Sequence, residues 1–406
     1  MSRVLFFSPG FPSEMPLFAR GLAQSGAQVI GLGDQPVPAL PDIAREALAD
    51  YIRVRNMFDT ASVIEAVKDY ARRIRIDQVE CVWEPGMILA AELREALGLP
   101  GMTVEQTVPF RDKEAMKKVL DDAGIRTPRH RRATNEQEIR QAVEEIGYPV
   151  CIKPIAGAGS ADTYRVDDEE VLERVLILTR HVRELSVEEF IEGEEYTFDT
   201  ICSGGRIHYY NVGWYRPRPL IARTEQWISP QTLSLRDMDD PKIQGGIEMG
   251  RKVLKALGYE AGFTHMEWFL KEDGEAVFGE IGARPPGARS VELMNYACDI
   301  DVFRGWAEAV VWNRFHQDVQ RKYNSAIIFK RALGEGRIRR IEGLRSLMRD
   351  FGPAITSVDL LPIGAHRRNW KQTLVSDGYI ILRHPDLEAA MAMADRVGTD
   401  LKLYAA

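Results

Sequence analysis

The chain lacks any run of apolar residues near the length of about 18 that a membrane-crossing helix requires, so no membrane partner is expected. It lacks a Gly-x-x-x-x-Gly-Lys-Ser/Thr loop, so any nucleotide must be held by something other than a P-loop. Its four cysteines, Cys81, Cys151, Cys202 and Cys298, form no short-spaced pair, which argues against a zinc knot or a disulfide framework and for a reducing cytoplasm. The seven histidines also show no metal-binding spacing. An excess of positive charge is missing too: 53 Lys+Arg against 60 Asp+Glu leave a net −7. The arginines at 129–132 and 337–340 form short, interrupted patches that read as solvated surface, and no nucleic-acid partner is expected. The apolar run over 4–7 is too short for a secretory signal, so export is not expected.

What is present is an average soluble composition, 45% hydrophobic and 28% charged, over 406 residues, enough for two to four domains. From 1 to 105 strand and helix patterns alternate, with strands over 4–7, 29–32, 51–54 and 79–83 and helices over 17–24 and 61–73. That alternation predicts a small parallel α/β sheet. A lone Gly31-Leu32-Gly33 is too little for a dinucleotide fingerprint. From 106 to 310 the pattern is mixed α+β. Helices are predicted over 111–123 and 136–146, strands over 149–153 and 163–166, a helix over 169–180, and further strands from 187 to 210. Past 311 a helical segment leads into strands over 325–329, 355–358 and 379–382 and a closing helix over 386–397, a third domain running to 406.

Three segments carry chemistry. In Val150-Cys151-Ile152-Lys153-Pro154, followed by Gly157-Ala158-Gly159-Ser160, a strand presents a cation just before free backbone N–H groups, which suits polyphosphate. Alone, a strand-end lysine before a glycine turn is usually structural. In Val187-Glu188-Glu189-Phe190-Ile191-Glu192-Gly193-Glu194-Glu195, carboxylates and extended backbone suit an adenosine, or equally an acidic strand and turn. In His265-Met266-Glu267-Trp268-Phe269 and Gly279-Glu280-Ile281-Gly282-Ala283-Arg284-Pro285-Pro286-Gly287, two carboxylates on neighbouring strands suit Mg²⁺, or an ordinary hairpin.

Their order decides between these readings. With Arg111-Asp112-Lys113 heading a helix that ends Ala123-Gly124-Ile125-Arg126-Thr127-Pro128, the whole series resembles the ATP-grasp superfamily. In detail it is similar to the branch holding biotin carboxylase, the purine-pathway carboxylate ligases and the L-amino-acid ligases. The resemblance implies a three-domain architecture: an N-terminal parallel α/β domain over 1–105, a central ATP-grasp domain over 106–310 with a lid over about 125–186, and a small C-terminal α+β domain over 311–406. It implies ATP with one or two Mg²⁺, or Mn²⁺ in its place. Lys113 and Lys153 would contact the phosphates, and Gly157, Ala158, Gly159 and Ser160 would fold over them. Glu188 would meet the adenine amino group, the backbone of Glu189, Phe190 and Ile191 its ring edge, and Glu195 the ribose. Phe269 would pack on the purine with Cys151 beneath it. Glu267 and Glu280 would hold metal, and Arg284 would neutralise developing charge. One departure stands out: where many relatives have Glu-x-Asn, the third position here is Gly282, which puts a second metal in doubt.

The implied reaction is ADP-forming ligation of a small carboxylate to an amine through an acyl phosphate, with Lys153 and Arg284 as catalytic groups. His265, Arg284, Arg289 and Glu84 are candidate substrate contacts, and the segment over 213–218 is a candidate pocket wall. A homodimer through the first or last domain is the expected assembly. Two alternatives stay open: a bicarbonate-activating carboxylase resembling biotin carboxylase, and a non-catalytic ATP-binding regulatory protein.

Overall fold

The computed structural model describes residues 1–156, 162–373 and 375–406. Four parallel strands open the chain: β1 (Arg3–Phe7), β2 (Gln28–Gly33), β3 (Leu48–Arg53) and β4 (Gln78–Glu80), in the order β3-β2-β1-β4. Val4, Leu5, Phe6 and Phe7 are all buried, as expected of a parallel strand covered on both faces. Leu5 and Phe7 pack with Val63, Val67, Leu89 and Leu93 from the helices Thr60–Ala71 and Met87–Leu97. Val4 and Phe6 pack instead with Phe18, Phe303 and Trp306, so the helix Val302–Trp312 covers the other face from far along the chain. Strand order reverses beside β1, and the loops after β1 and β4 flank the crevice that forms there.

A second sheet is antiparallel, with β5 (His130–Ala133), β6 (Val150–Pro154), β7 (Tyr164–Val166) and β8 (Leu185–Glu189) in the order β5-β8-β6-β7. Alternation divides its two faces. Val150, Ile152, Leu185 and Val187 pack beneath the helices Glu136–Ile146 and Glu169–Leu178. Asn135 and Asp168 start those helices by accepting from the backbone N–H of Glu138 and Val171. Cys151, Lys153, Ser186 and Glu188 are left on the opposite face.

The remaining strands are β9 (Glu194–Ser203), β10 (Arg206–Arg216), β11 (Gln231–Ser234), β12 (Gly262–Leu270), β13 (Ala276–Gly282), β14 (Asn324–Phe329), β15 (Leu333–Gly334), β16 (Ile338–Glu342), β17 (Ile355–Leu360), β18 (Gly378–His384) and β19 (Lys402–Ala405). Eight of them form one sheet, β13-β12-β9-β10-β11-β14-β18-β17, and the other three form a small sheet, β15-β19-β16. The boundary expected at 311 therefore falls before strands that extend the central sheet. On one face of that sheet Met266, Trp268, Phe198 and Phe278 pack against the helix Pro241–Ala256. Gly246 and Gly250 permit this close approach, since a Cβ on either would collide with the Trp268 or Phe198 ring. The helical segment expected past 311 is absent. Asn313 takes a left-handed conformation, φ 52°, and caps the preceding helix. The helices Asp42–Ala47 and Leu344–Phe351 and the third sheet were not expected from the sequence.

Candidate active site

The period of two that buries Met266 and Trp268 turns His265, Glu267 and Phe269 to the other face of β12. Glu267 pairs in register with Glu280 on β13, placing two carboxylates directly opposite each other. Like charges in that position oppose sheet formation unless something offsets them. Cations stand around them. Lys113 begins the helix Lys113–Asp122, where Asp112 caps the first turn, and its Nζ lies 3.2 Å from Glu280 Oε1 and 3.5 Å from the Ile155 carbonyl. Arg284 follows β13 and donates from Nε to Glu84 Oε2 at 2.8 Å. Glu84 also pairs with Arg111, and although burial pushes its carboxyl up, the two guanidiniums hold it below the usual range.

Lys153, on the second sheet, reaches Glu188 Oε2 at 2.9 Å. The other oxygen of Glu188 pairs with Lys117, a lysine with no exposed side-chain surface. Ser186 lies beside that same oxygen, at 2.8 Å. Burial alone would raise the Glu188 carboxyl, but Lys117 and Lys153 outweigh it and hold the group well below its ordinary range. Burial works against Lys153 as well, and the charges of Glu188 and Glu280 overcome it, so this lysine stays a cation. The adenine contact expected of Glu188 would thus share an oxygen already bound to a lysine.

A polar network supports Glu267. Asp199 Oδ1 lies 2.6 Å from His265 Nδ1, and its Oδ2 accepts from Thr197 at 2.9 Å and Asn211 at 3.1 Å. His265 Nε2 is 3.4 Å from Glu267 Oε1, which also accepts from the Tyr215 hydroxyl at 3.3 Å. Burial opposes ionisation of Glu267, yet His265 and Arg284 keep it a carboxylate. Nearby Glu195 is pushed the other way, by burial first and then by Glu267. Among the described residues no three His, Cys, Asp or Glu side chains are grouped to hold a metal by themselves. A divalent cation at Glu267 and Glu280 would complete its shell with phosphate oxygens, and two hard oxygen donors in register fit such an ion.

Gly282 leaves room for a side chain: the nearest atoms to a Cβ there would all belong to Arg284, in ordinary contact at 3.4 Å from its Cγ and 3.5 Å from its Nε. Arg289 sits apart, 2.8 Å from Glu292 and above the Tyr379 ring. Cys151 faces the site, its thiol pushed up to about 11 by burial. Gly157, Ala158, Gly159 and Ser160 lie outside the described residues.

Family models match two stretches of the sequence. An ATP-grasp N-terminal domain covers residues 24–101, and an ATP-grasp domain covers 110–213. Those two segments are matched as ATP-grasp domains. No helix among its described residues is long and apolar enough to cross a membrane. The whole ATP-grasp fold superposes on an L-amino acid ligase from Bacillus licheniformis with a TM-score of 0.80, 19% identity, and coverage of 100% of this chain and 99% of that one. In sequence it is 26% identical over 244 residues to the L-arginine-specific L-amino acid ligase of Bacillus subtilis, covering 56% of this chain and 58% of the relative. It is also 26% identical over 266 residues to the alanine–anticapsin ligase of the same organism, covering 59% and 55%. The chain thus spans a little over half the length of these curated relatives.

Sequence reasoning missed Lys117 and Asp199, and reached Tyr215 only as part of the candidate pocket wall over 213–218. A signal existed for the first two: Lys117 is one helical turn from Lys113, and Asp199 is four strand positions from Glu195, so each shares a face with a residue already singled out.

Proposed function

We propose that the protein is an ATP-dependent carboxylate–amine ligase working through an acyl phosphate. The observation that carries this reading is the Glu267–Glu280 pair, opposed in register and ringed by Lys113, Lys153 and Arg284. Acid next to base in this pattern suits a polyphosphate and a metal together with a second anion near Arg284. The named activities of the relatives agree, two being amino acid ligases.

Lys113 and Lys153 would hold the phosphate chain, and Glu267 and Glu280 would hold Mg²⁺, which when bound offsets charge on the phosphate oxygens. Phe269, the Ile191 backbone and Glu195 would receive the adenosine. Arg284 would place the substrate carboxylate in line with the terminal phosphorus. An oxygen of that carboxylate bonds to phosphorus as the bond to the ADP oxygen breaks. The amine then attacks the acyl carbon, phosphate leaves with the acyl C–O bond electrons, and the amine sheds a proton. Positioning and charge stabilisation suffice, with no covalent enzyme nucleophile. A cytoplasmic location fits a reaction that consumes ATP.

The test is phosphate release from ATP and Mg²⁺ with single amino acids, amino-acid pairs, simple carboxylates and bicarbonate, using Glu280→Ala as the blank. Release that needs a carboxylate and an amine together, and is lost in the variant, supports the ligase. Release with bicarbonate alone overturns it in favour of a carboxylase.

A further inference from the structure

Arg218 is a nearly buried cation that this reaction leaves unused. It follows β10, heads the short helix Pro219–Ala222, and exposes only 9% of its side chain. Its guanidinium carbon stands 4.8 Å from the centroid of the Phe269 ring and 4.9 Å from that of Phe190. Its Nη1 donates to the Ile191 carbonyl at 2.8 Å, and its Nε lies 3.5 Å from Glu195 Oε2 without forming a hydrogen bond. Three of these partners, Phe269, the Ile191 backbone and Glu195, are ones that the proposed function gives to adenosine. Phe269 would stack on the base, the Ile191 backbone would meet its edge, and Glu195 would meet the ribose.

A guanidinium is flat, rich in N–H donors and stacks on aromatic faces, so it can fill a purine's place. We propose that Arg218 competes with adenosine for its position in the nucleotide pocket and must leave before a nucleotide can seat. The surroundings allow that departure. Pro217 is exposed and Ile221 49% exposed, so solvent reaches the turn beside Arg218, while buried Ala222, whose carbonyl accepts from Arg331 at 2.7 Å, holds the short helix in place and leaves the departure to rotation of the Arg218 side chain. Arg165 stacks on Phe190 at 4.3 Å, so that ring keeps a cation after Arg218 goes. Phe269 would exchange one flat partner for another. Occupation by Arg218 leaves only a fraction of molecules ready to bind, and apparent affinity falls by that fraction.

This inference rests on the ATP-binding reading, and calorimetric titration of the full-length protein with MgADP separates the two. Wild type should bind, and Arg218→Ala should bind about tenfold tighter, as expected if the pocket is open about a tenth of the time. In rapid mixing, the observed binding rate should level off with MgADP concentration in the wild type and rise linearly in Arg218→Ala. Arg218→Gln, which retains a flat donor group, should lie between them and guards against a folding defect, checked by thermal melting. Equal or weaker binding by both variants with unchanged melts would overturn the inference, because Arg218 would then be idle or a direct nucleotide ligand. Failure of wild type and both variants to bind any adenine nucleotide would overturn the ATP-binding reading and this inference with it.

Discussion

Arg284 donates to Glu84 at 2.8 Å, tying the turn after β13 in the central sheet to the strand-end turn after β4 in the first sheet. The pair spans the crevice, so the arginine that would neutralise a reacting carboxylate is aimed by a glutamate from a different sheet. Arg284→Ala should lower kcat by roughly 10²–10³-fold, in the range for loss of one preorganised charge partner, while ADP affinity changes little. Turnover with substrate pairs alongside ADP titration checks this, and a matching loss of ADP binding would remove Arg284 from the reacting end.

Gly282→Asn restores a side chain beside Arg284. Its Cβ would make only ordinary contact with the Arg284 stem, but the carboxamide beyond it would compete for the guanidinium, so kcat should drop by about tenfold with thermal stability nearly unchanged. A gain in activity or in Mg²⁺ affinity would instead mean that glycine had cost the protein a metal ligand.

Two lysines share Glu188, which makes their roles unequal. Glu188→Gln leaves Lys117 and Lys153 buried without that carboxylate and should destabilise by about 3–5 kcal/mol. Lys117→Met leaves Glu188 paired to Lys153 and should cost less. Denaturant melts of both variants rank them, and the opposite order would refute the shared pairing.

His130 ties β5 to the Lys113–Asp122 helix through Glu114 at 2.7 Å and Asp121 at 2.9 Å. Burial lowers its basicity, but these two carboxylates outweigh it and raise the group above 6.5. The sign follows: its stabilisation is full below the unfolded value and fades as pH rises through the folded one. The Tm gap between wild type and His130→Gln should be about 2 °C or more in mild acid and should close in alkali. A gap that widens with pH would show that the imidazole is neutral.

The parts of this fold legible in sequence were those with strict periodicity. The helix over 136–146 and the strand pattern around Lys153 were plain because each buries one face and solvates the other. The two-residue strand Leu333–Gly334 and the six-residue helix Asp42–Ala47 were not, since each depends on tertiary partners. Site residues were legible where a motif fixed their spacing, as for Glu267 and Glu280. Lys117 was hidden because a lysine in a helix normally faces water, and only the structure reveals a buried carboxylate across from it. The strands past 311 looked like a separate unit because sequence records no hydrogen-bond partner.

Those late strands have one more consequence. β14 covers the edge of β11, a strand of only four residues that otherwise pairs with β10 alone. A chain ending after the helix Val302–Trp312 would retain the carboxylate pair yet present a row of bare amides and carbonyls on the flank of the central sheet. Such a fragment would seek strands from other molecules, so the last hundred or so residues shield the flank of the sheet that carries the candidate site.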